Sequence, residues 1–377
     1  MLRSILAVLA AMAVAGCRGE AAKPAAPVAS PEAARPAAPA LRKLKVAIAI
    51  PSYVHAVAWI AKSKGFFEKR GIDAEVVTTG GSADAMKGLL SNDIGIALAG
   101  GDSAVKANLA GADLVVFGTV VNRHYHRLVV RQGIDGPEDL RGKSLGVPVL
   151  GGPQDFLTYV LCRKWGLEYG KDVAIKVLGK EIARLPAVQR GDVDGLTAAA
   201  PRSTVEKLGL KILADPRTWD EPAPYMMMVA RRPFLKDNDA LVADFVRAIA
   251  DAEAFYMTNP DEALAVAFDK LGPGEGDPRE NYAEGGPLMF AVPPAPDVAA
   301  MRVAVDYIAT APDLAEKARA FDLPGMIDGA LVARLAAEGA FGQVAAARAE
   351  LAARLKPPTG EAAAAGAPAP AAAAPGR

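Results

Sequence analysis

“VVTTGGSADAM” (76–86) is the stretch that decides the fold of this chain. A run of β-branched residues, which favour strands, meets two glycines, and Ser82 then opens an apolar-periodic stretch. Because serine is a favoured helix N-cap, the pattern predicts a strand, a tight turn and a helix. The same order recurs at “IALAGGDSAV” (96–105) and “GVPVLGGPQDF” (146–156). Repeated strand-to-helix junctions are therefore the building unit of this protein.

Outward from these junctions, strands and helices alternate in two series, over residues 44–121 and 143–216. Strands joined by helical crossovers lie parallel, so each series predicts a mostly parallel sheet flanked by helices. After Tyr225 the sequence becomes mostly helical, and we expect these helices to pack on the first lobe. The predicted fold class is α/β, with two lobes.

Two extended connections join the predicted lobes, “NRHYHRLVVRQG” (122–133) and “PAPYMMMVARRPF” (222–234), and they suit a two-strand hinge. The chain would enter the second lobe through one connection and return through the other. This assigns lobe one to residues 43–124 and 226–356, and lobe two to residues 125–225.

The N-terminal segment “MLRSILAVLAAMAVAGC” is similar to a bacterial lipoprotein signal. Its apolar run is too short to cross a bilayer, and small residues precede Cys17 as in the lipobox, where the cysteine is acylated. We expect a signal peptide over residues 1–16, a lipid anchor on Cys17, and a location in the periplasm or on the cell surface. The alternative is an ordinary secretory signal with an incidental cysteine.

Composition limits the remaining roles. Ala/Pro-rich stretches predict an extended tether over residues 17–42 and a disordered tail over residues 357–377. The 43 basic and 43 acidic residues cancel and no basic run appears, so we exclude nucleic acid as a partner. Besides Cys17 the chain has one cysteine, Cys162, in an apolar helical stretch, and we assign it no chemistry.

The chain resembles the solute-binding proteins of ABC importers that carry aliphatic sulfonates, taurine, nitrate or the pyrimidine precursor of thiamine. The resemblance lies in “AKSKGFFEKRGIDAEVVTTGGSADAMKGLLSNDIGIALAGGDSAV” (61–105), “GIDGPEDLRGKSLGVP” (133–148) and “RPFLKDNDALVADFVRAIADAEAFYMTNPDEA” (232–263). It implies a type II periplasmic binding fold that closes on a small-molecule ligand, with an ABC permease and ATPase as partners. It implies no cofactor and no catalysis, and we expect a monomer. A synthase of the thiamine pyrimidine shares this fold, but it carries a Cys-rich motif that this chain lacks.

The junctions also predict where a ligand binds. In open parallel sheets, ligands bind beyond the carboxyl ends of strands, where glycines permit close approach and helix N-termini offer free N–H groups. Aromatic residues in nearby loops can stack on a ligand. The candidate ligand-binding residues are Ser52, Tyr53, Gly80, Gly81, Ser82, Gly101, Asp102, Ser103, Gly152, Gln154, Arg202 and Tyr225.

The sequence leaves the charge of the ligand open. Free N–H groups and arginine side chains favour a small anion such as a sulfonate. Asp84, Asp102 and Asp155 stand close to the predicted helix starts. If these carboxylates occupy the N–H groups themselves, a neutral or cationic ring such as a pyrimidine becomes the better ligand.

Two further patterns carry weaker alternatives. His124 and His126, together with His55, could bind a transition metal, although polar residues beside a hinge more often hydrogen-bond a ligand or solvent. “GKSLG” (142–146) matches the G-x-S-x-G hydrolase pattern, but Ser144 begins a strand, whereas a nucleophile elbow lies between a strand and a helix. We expect neither a metal site nor catalysis from them.

Overall fold

The computed structural model describes residues 40–49, 52–179, 184–219, 222–272 and 277–355. The predicted signal peptide, the predicted lipidation site Cys17, the predicted tether up to residue 39 and the predicted tail lie outside these described residues. Within the described residues, the first strand begins at Arg42.

The described residues contain ten strands, which are β1 (Arg42–Ile48), β2 (Ile72–Thr78), β3 (Ile96–Ala99), β4 (Leu114–Val121), β5 (Arg127–Val130), β6 (Lys143–Val147), β7 (Val173–Val177), β8 (Gly195–Ala198), β9 (Lys211–Ala214) and β10 (Met226–Arg231). The helices in the same ranges are α1 (Val57–Ser63), α2 (Phe66–Lys69), α3 (Ser82–Leu90), α4 (Gly101–Leu109), α5 (Pro153–Lys164), α6 (Arg184–Arg190), α7 (Arg202–Lys207), α8 (Arg232–Asp237), α9 (Asp239–Thr258), α10 (Pro260–Leu271), α11 (Pro278–Ala283), α12 (Val298–Ile308), α13 (Ala315–Arg319), α14 (Leu323–Met326), α15 (Ala330–Ala337) and α16 (Gly342–Arg354). Short 3-10 turns cover Val54–Ala56, Pro137–Leu140, Pro216–Thr218 and Gly286–Met289.

The first sheet has the strand order β2-β1-β3-β10-β4. β1 pairs in parallel with β2 and β3, as the alternation of strands and helices predicts. β10 enters between β3 and β4 and is antiparallel to both. The first series of elements could not indicate this insertion, because β10 comes from a much later part of the sequence.

The second sheet repeats this arrangement with the order β7-β6-β8-β5-β9. β6 is parallel to β7 and β8, and β5 is antiparallel to β8 and β9. β5 and β10 are the strands that the two extended connections contribute, so each sheet receives one antiparallel strand at its fourth position. The predicted fold class, α/β with two mostly parallel sheets flanked by helices, is confirmed.

Both faces of the first sheet are buried. Successive side chains of a strand point to opposite faces, and β1 shows the consequence. Val46 and Ile48 pack in one apolar cluster with α1 and α9, whereas Ala47 packs in the other with α3, α4 and α12. Burying one such large aliphatic side chain contributes roughly 1.5–3 kcal/mol, so the two clusters fix the sheet between its helical layers.

The late helices mostly pack where the sequence predicts. α9, α10 and α16 join the apolar cluster on one face of the first sheet. α12 differs, because it contacts α4 beside the first sheet and α5 beside the second. The side chains of Phe156 and Tyr307, with ring centroids 5.3 Å apart, form part of this second contact. The two sheets are therefore linked by helix packing as well as by β5 and β10.

Candidate functional site

A cavity of about 640 Å³ lies between the two sheets, and loops that follow strands of both sheets line it. This volume falls within the roughly 300–1,000 Å³ typical of small-molecule sites. Most of the candidate residues line it, namely Ser52, Tyr53, Gly80, Gly81, Ser82, Asp102, Ser103, Gly152, Gln154 and Tyr225. Gly101 and Arg202 are not among the lining residues.

The N-terminus of α3 opens directly into this cavity. Gly81 has φ 139°, and a Cβ built on it would meet nothing within 4 Å, so this backbone is both glycine-specific and uncovered. The first intrahelical bond runs from Ala85 N–H to the Gly81 carbonyl (3.1 Å), which leaves the N–H groups of the preceding turn without helical partners. Ser82 Oγ accepts a hydrogen bond from Gly100 N–H (3.1 Å). Asp84 is not among the lining residues: its Oδ1 pairs with Lys87 (2.9 Å), and its Oδ2 lies beside Gly80, where a Cβ would be 2.5 Å away.

The N-terminus of α4 is occupied by its own side chain. The Asp102 carboxylate accepts hydrogen bonds from the backbone N–H groups of Asp102 and Ser103, and it lies 3.4 Å from Lys106 Nζ. Burial nevertheless raises the pKa of Asp102, against the opposing effects of Lys106 and these N–H groups. Asp102 thus supplies a carboxylate to the cavity wall.

Gly101, predicted as a ligand contact, instead packs inside the protein. A Cβ at this position would lie 2.4 Å from Met301 Sδ and 3.0 Å from Pro224 Cβ. The glycine is required because α12 and the chain before β10 approach the start of α4 closely. The sequence pattern could not reveal these neighbours, which are far away along the chain.

The N-terminus of α5 contributes Gly152 and Gln154 to the cavity, while Asp155 is buried behind them. Asp155 accepts hydrogen bonds from Gly151 N–H (2.7 Å), from the Tyr307 hydroxyl (2.5 Å) and from the Tyr169 hydroxyl. Its carboxylate is therefore engaged away from the cavity. Of the three aspartates that left the ligand charge open, Asp102 is the one that lines the cavity.

One wall of the cavity is built from aromatic and imidazole rings. His126 Nε2 lies 3.1 Å from Gln154 Nε2, and its Nδ1 lies 3.4 Å from the Tyr225 hydroxyl. Burial, followed by the positive charge of Arg184, lowers the pKa of His126 to about 3. The imidazole is therefore neutral near pH 7, with one ring nitrogen donating and the other accepting. Tyr53 donates its hydroxyl to the Gly272 carbonyl (2.6 Å), which fixes its ring at the cavity.

Arg202, predicted as a ligand contact, is not among the residues that line the cavity. Its backbone N–H donates to Glu284 Oε1 (2.9 Å), and its residue is exposed to solvent. The neighbouring Ser203 donates its hydroxyl to Glu280. The start of α7 is thus covered by acidic side chains from α11 and its end, which the sequence does not place there.

Several lining residues escaped the sequence analysis. Arg184 begins α6, the next helix after β7, and the sequence between them has none of the paired glycines that marked the other junctions. Tyr125 lies in the connection to β5, and Asn281 lies in α11 among the late helices. His126, a candidate metal ligand in the sequence, lines the cavity. Among these residues, the sequence offered a signal only for Arg184, which lies in the segment after a predicted strand.

The three histidines all lie around the Tyr225 ring, with ring centroids 5.3 to 6.5 Å from it, but they do not line the same cavity. His124 lines a separate cavity of about 200 Å³, together with Phe156 and Trp219, whereas His126 lines the main one. Within the ranges that the structure describes, no three His, Cys, Asp or Glu side chains are grouped as metal ligands.

Cys162 is buried, and burial raises its thiol pKa to about 12, which leaves it in the inert protonated form.

Comparisons with known proteins show the family to which this chain belongs. The family model described as NMT1/THI5 like matches residues 52–263. The chain is 30% identical to the putative binding protein YtlA of Bacillus subtilis, over 62% of this chain and 73% of that protein. It is 33% identical to the taurine-binding periplasmic protein of Escherichia coli, over 36% of this chain and 42% of that protein. These matches confirm the family resemblance drawn from the sequence.

A solved structure agrees with the fold. The periplasmic aliphatic sulphonate binding protein SsuA of Escherichia coli superposes with a TM-score of 0.64 at 20% identity, covering 76% of this chain and 91% of that one. The two-sheet architecture of this chain is therefore the periplasmic binding protein fold. None of the helices in the described ranges combines the length and apolar character needed to cross a bilayer.

Proposed function

This chain belongs to the NMT1/THI5-like family, and we propose that it is an extracytoplasmic solute-binding protein that delivers a small organic anion to an ABC importer. The observation that carries the proposal is the open N-terminus of α3 at a cavity between two sheets. Its N–H groups and uncovered Gly81 supply donors and space at the same point. Two of the relatives described above are binding proteins by name, which supports the same function.

The electrostatics of the cavity favour an acidic ligand group. A helix N-terminus carries about half a positive charge, and the guanidinium-bearing residue Arg184 lines the same cavity. His126 is neutral and Asp102 is held by Lys106 and by N–H groups of α4, so neither opposes the anion as strongly as a free carboxylate would. We infer that an anionic group such as a sulfonate binds at α3, with the less polar part of the ligand against Tyr53 and Tyr225.

Ligand binding in this proposal closes two lobes. We assign lobe one to the first sheet with the late helices and lobe two to the second sheet, with β5 and β10 as the hinge. Closure would present a joint surface to the permease, whose ATPase then drives transport. Small-angle scattering tests this step, because ligand should reduce the radius of gyration without changing the mass. Tight binding with an unchanged radius would contradict hinge closure.

A planar heterocycle is the second candidate ligand, because Tyr53, Tyr125 and Tyr225 all line the cavity. Aromatic faces can stack on such a ring, and Asp102 could accept from an amino group. Calorimetric titration with ethanesulfonate, taurine and a 4-aminopyrimidine separates the candidates. We expect the sulfonates to bind. Binding of the pyrimidine alone would replace the proposed ligand class by the second one.

Binding alone, without catalysis, fits the side chains at the cavity. The ring nitrogens of His126 are engaged by Gln154 and Tyr225, and Asp102 is engaged by Lys106 and backbone N–H groups. These groups hold one another in place, which suits recognition more than proton transfer. Chemical turnover of a bound pyrimidine, followed by mass spectrometry of the products, would overturn this part of the proposal.

We further propose that Cys17 anchors the protein to a membrane surface and that the protein acts as a monomer. Two acyl chains suffice for stable anchoring, since each buried methylene contributes about 0.8 kcal/mol. In the host, Cys17→Ala should abolish metabolic labelling with a palmitate analogue. Unchanged labelling of this variant would refute the anchor and leave the binding function untouched.

A further inference from the structure

α11 is a short helix whose neighbouring residues face three different parts of the molecule. Tyr282 donates its hydroxyl to the carbonyl of Met257 in α9, which ties the helix to lobe one (2.7 Å). Asn281 lines the ligand cavity. Glu280 and Glu284, one helical turn apart, both contact lobe two. A single turn of helix therefore touches both lobes and the cavity between them.

The contact with lobe two is strong because it uses charged groups in a buried setting. Arg127 of β5, only 2% exposed, donates a guanidinium N–H to Glu284. Glu284 also accepts from the backbone N–H of Arg202 (2.9 Å), and Glu280 accepts from the Ser203 hydroxyl. Charge-assisted hydrogen bonds are roughly twice as strong as neutral ones. This set of bonds fixes the position of α11 on lobe two.

The contact with the cavity is incomplete within the protein. Asn281 is 8% exposed, and its Oδ1 has no hydrogen-bond partner among the described residues. Buried carboxamides are normally satisfied, because leaving one unpaired forfeits the hydrogen bonds that it makes to water in the unfolded chain. His126, on the same cavity, has neighbours at both ring nitrogens. The carboxamide of Asn281 is therefore suited to a polar group that the ligand brings.

We propose that α11 is a ligand-dependent clasp, in which Asn281 hydrogen-bonds the ligand while Glu280 and Glu284 hold the helix on lobe two. The inference rests on the proposed binding function and adds the residue that links binding to closure. A ligand bonded to Asn281 fixes α11 at the cavity and keeps Glu280 and Glu284 in position to bond lobe two, and these bonds to lobe two are made only when the lobes are closed. Occupancy thus shifts the population toward the closed state.

Three variants of the full chain test the clasp. Asn281→Leu removes the polar group facing the ligand, and Glu284→Gln removes the charge that holds lobe two. Glu338→Gln is the matched control, because Glu338 pairs with Arg247 (2.5 Å) among the helices of lobe one. Hydrogen–deuterium exchange is followed at residues 200–204 and 277–285, with and without ethanesulfonate, and affinities are measured by calorimetry.

We expect Glu284→Gln to increase exchange at both segments in the ligand-free protein and to weaken ethanesulfonate binding about tenfold. Asn281→Leu should leave ligand-free exchange unchanged, weaken binding about tenfold, and reduce the protection that ethanesulfonate confers on residues 277–285. Glu338→Gln should behave as wild type in both measurements. Thermal melts check that each variant is folded.

Two results would overturn the clasp. Wild-type affinity in Asn281→Leu would show that Asn281 does not hydrogen-bond the ligand. Unchanged exchange at residues 200–204 in Glu284→Gln would show that Glu284 does not hold α11 on lobe two. If wild-type protein fails to bind ethanesulfonate and taurine, the proposed ligand class and the ligand contact of Asn281 both fall. The ligand-free exchange data would still decide whether α11 holds the lobes together, so the two failures are distinguishable.

Discussion

The junctions at residues 80–82 and 100–103 have similar sequences and opposite surroundings. At the first, Gly81 has a glycine-specific φ of 139° and open space where a side chain would be. At the second, Gly101 is packed against Met301, and Asp102 accepts from the first N–H groups of its own helix. A Gly-Gly pair before a helix therefore has two uses in one sheet. One exposes helix donors to the cavity and the other allows close packing.

The residue after the glycines explains much of this difference. Ser82 uses its hydroxyl to accept from Gly100 N–H, which joins the two junctions without covering the N-terminus of α3. Asp102 has a carboxylate that can reach its own helix N-terminus, where an anion is favoured. We infer that the N-terminus of α3 binds the acidic group of the ligand, and that the Asp102 carboxylate at the start of α4 modulates the affinity for that group.

The largest effect should come from adding a side chain at the open junction. Gly81→Val places a β-branched residue at φ 139° and fills the space above the N-terminus of α3, so we expect at least hundredfold weaker ligand binding, measured by calorimetry. Strain should also lower stability by about 1–3 kcal/mol. Gly111→Val is the matched control, because Gly111 also has positive φ (96°) and open space but lies outside the cavity lining. If Gly81→Val binds the ligand as tightly as Gly111→Val does, the N-terminus of α3 does not contact the ligand.

A new charge beside the occupied junction should have the next largest effect. Ser103→Asp adds a second carboxylate next to Asp102 on the cavity wall, so binding of ethanesulfonate should fall by tenfold or more. Binding of a cationic or neutral ring should change little, and thermal stability should hold because Asp is tolerated in a first helical turn. Equal loss for charged and neutral ligands would show that the cavity does not discriminate by charge.

Removing the existing charge at the same junction should have a smaller, pH-dependent effect. Burial raises the pKa of Asp102, so its proton is lost at higher pH than usual and the resulting charge then repels an anion. Ethanesulfonate should bind about three- to tenfold more tightly as pH falls from neutral through the raised pKa of Asp102, because protonation removes the charge. His126 does not contribute over this range, because its pKa is about 3. In Asp102→Asn the calorimetric affinity should be independent of pH. If the affinity of Asp102→Asn still depends on pH, a group other than Asp102 titrates.

The smallest effect on binding should come from the packed glycine. Gly101→Ala brings a Cβ to 2.4 Å from Met301 Sδ, so the side chain of Met301 must move. Overpacking of this kind lowers stability by about 1–3 kcal/mol, which a thermal melt detects. Ligand affinity should stay within about twofold of wild type, because Gly101 does not line the cavity. A large loss of affinity with unchanged stability would reverse the roles given to the two junctions.

The fold was predictable to the extent that it depends on local patterns. Alternating strands and helices predicted the parallel pairing of β1, β2 and β3, and paired glycines marked three of the strand-to-helix junctions that line the cavity. The insertion of β5 and β10 at the fourth position of each sheet depends on pairing between distant segments, for which the sequence contains no local signal. The same limit explains Gly101, whose role is decided by Met301 on α12.

The site was predictable where it lies at strand ends and unpredictable where tertiary contacts decide it. Arg202 follows a strand as Ser82 does, but Glu284 covers its backbone N–H. Asn281 comes from a region with helical periodicity alone, so its polar side chain could not be distinguished from a solvent-facing one. Arg184 begins a helix without the glycines that marked the other junctions.

Native mass spectrometry of the protein purified from its own host tests the central claim most directly. Wild-type protein should carry one small organic anion, identified by its mass after release. Gly81→Val should lose this adduct, whereas Gly101→Ala should retain it. A wild-type protein that never carries such an adduct, or a Gly81→Val variant that retains it fully, would contradict the account.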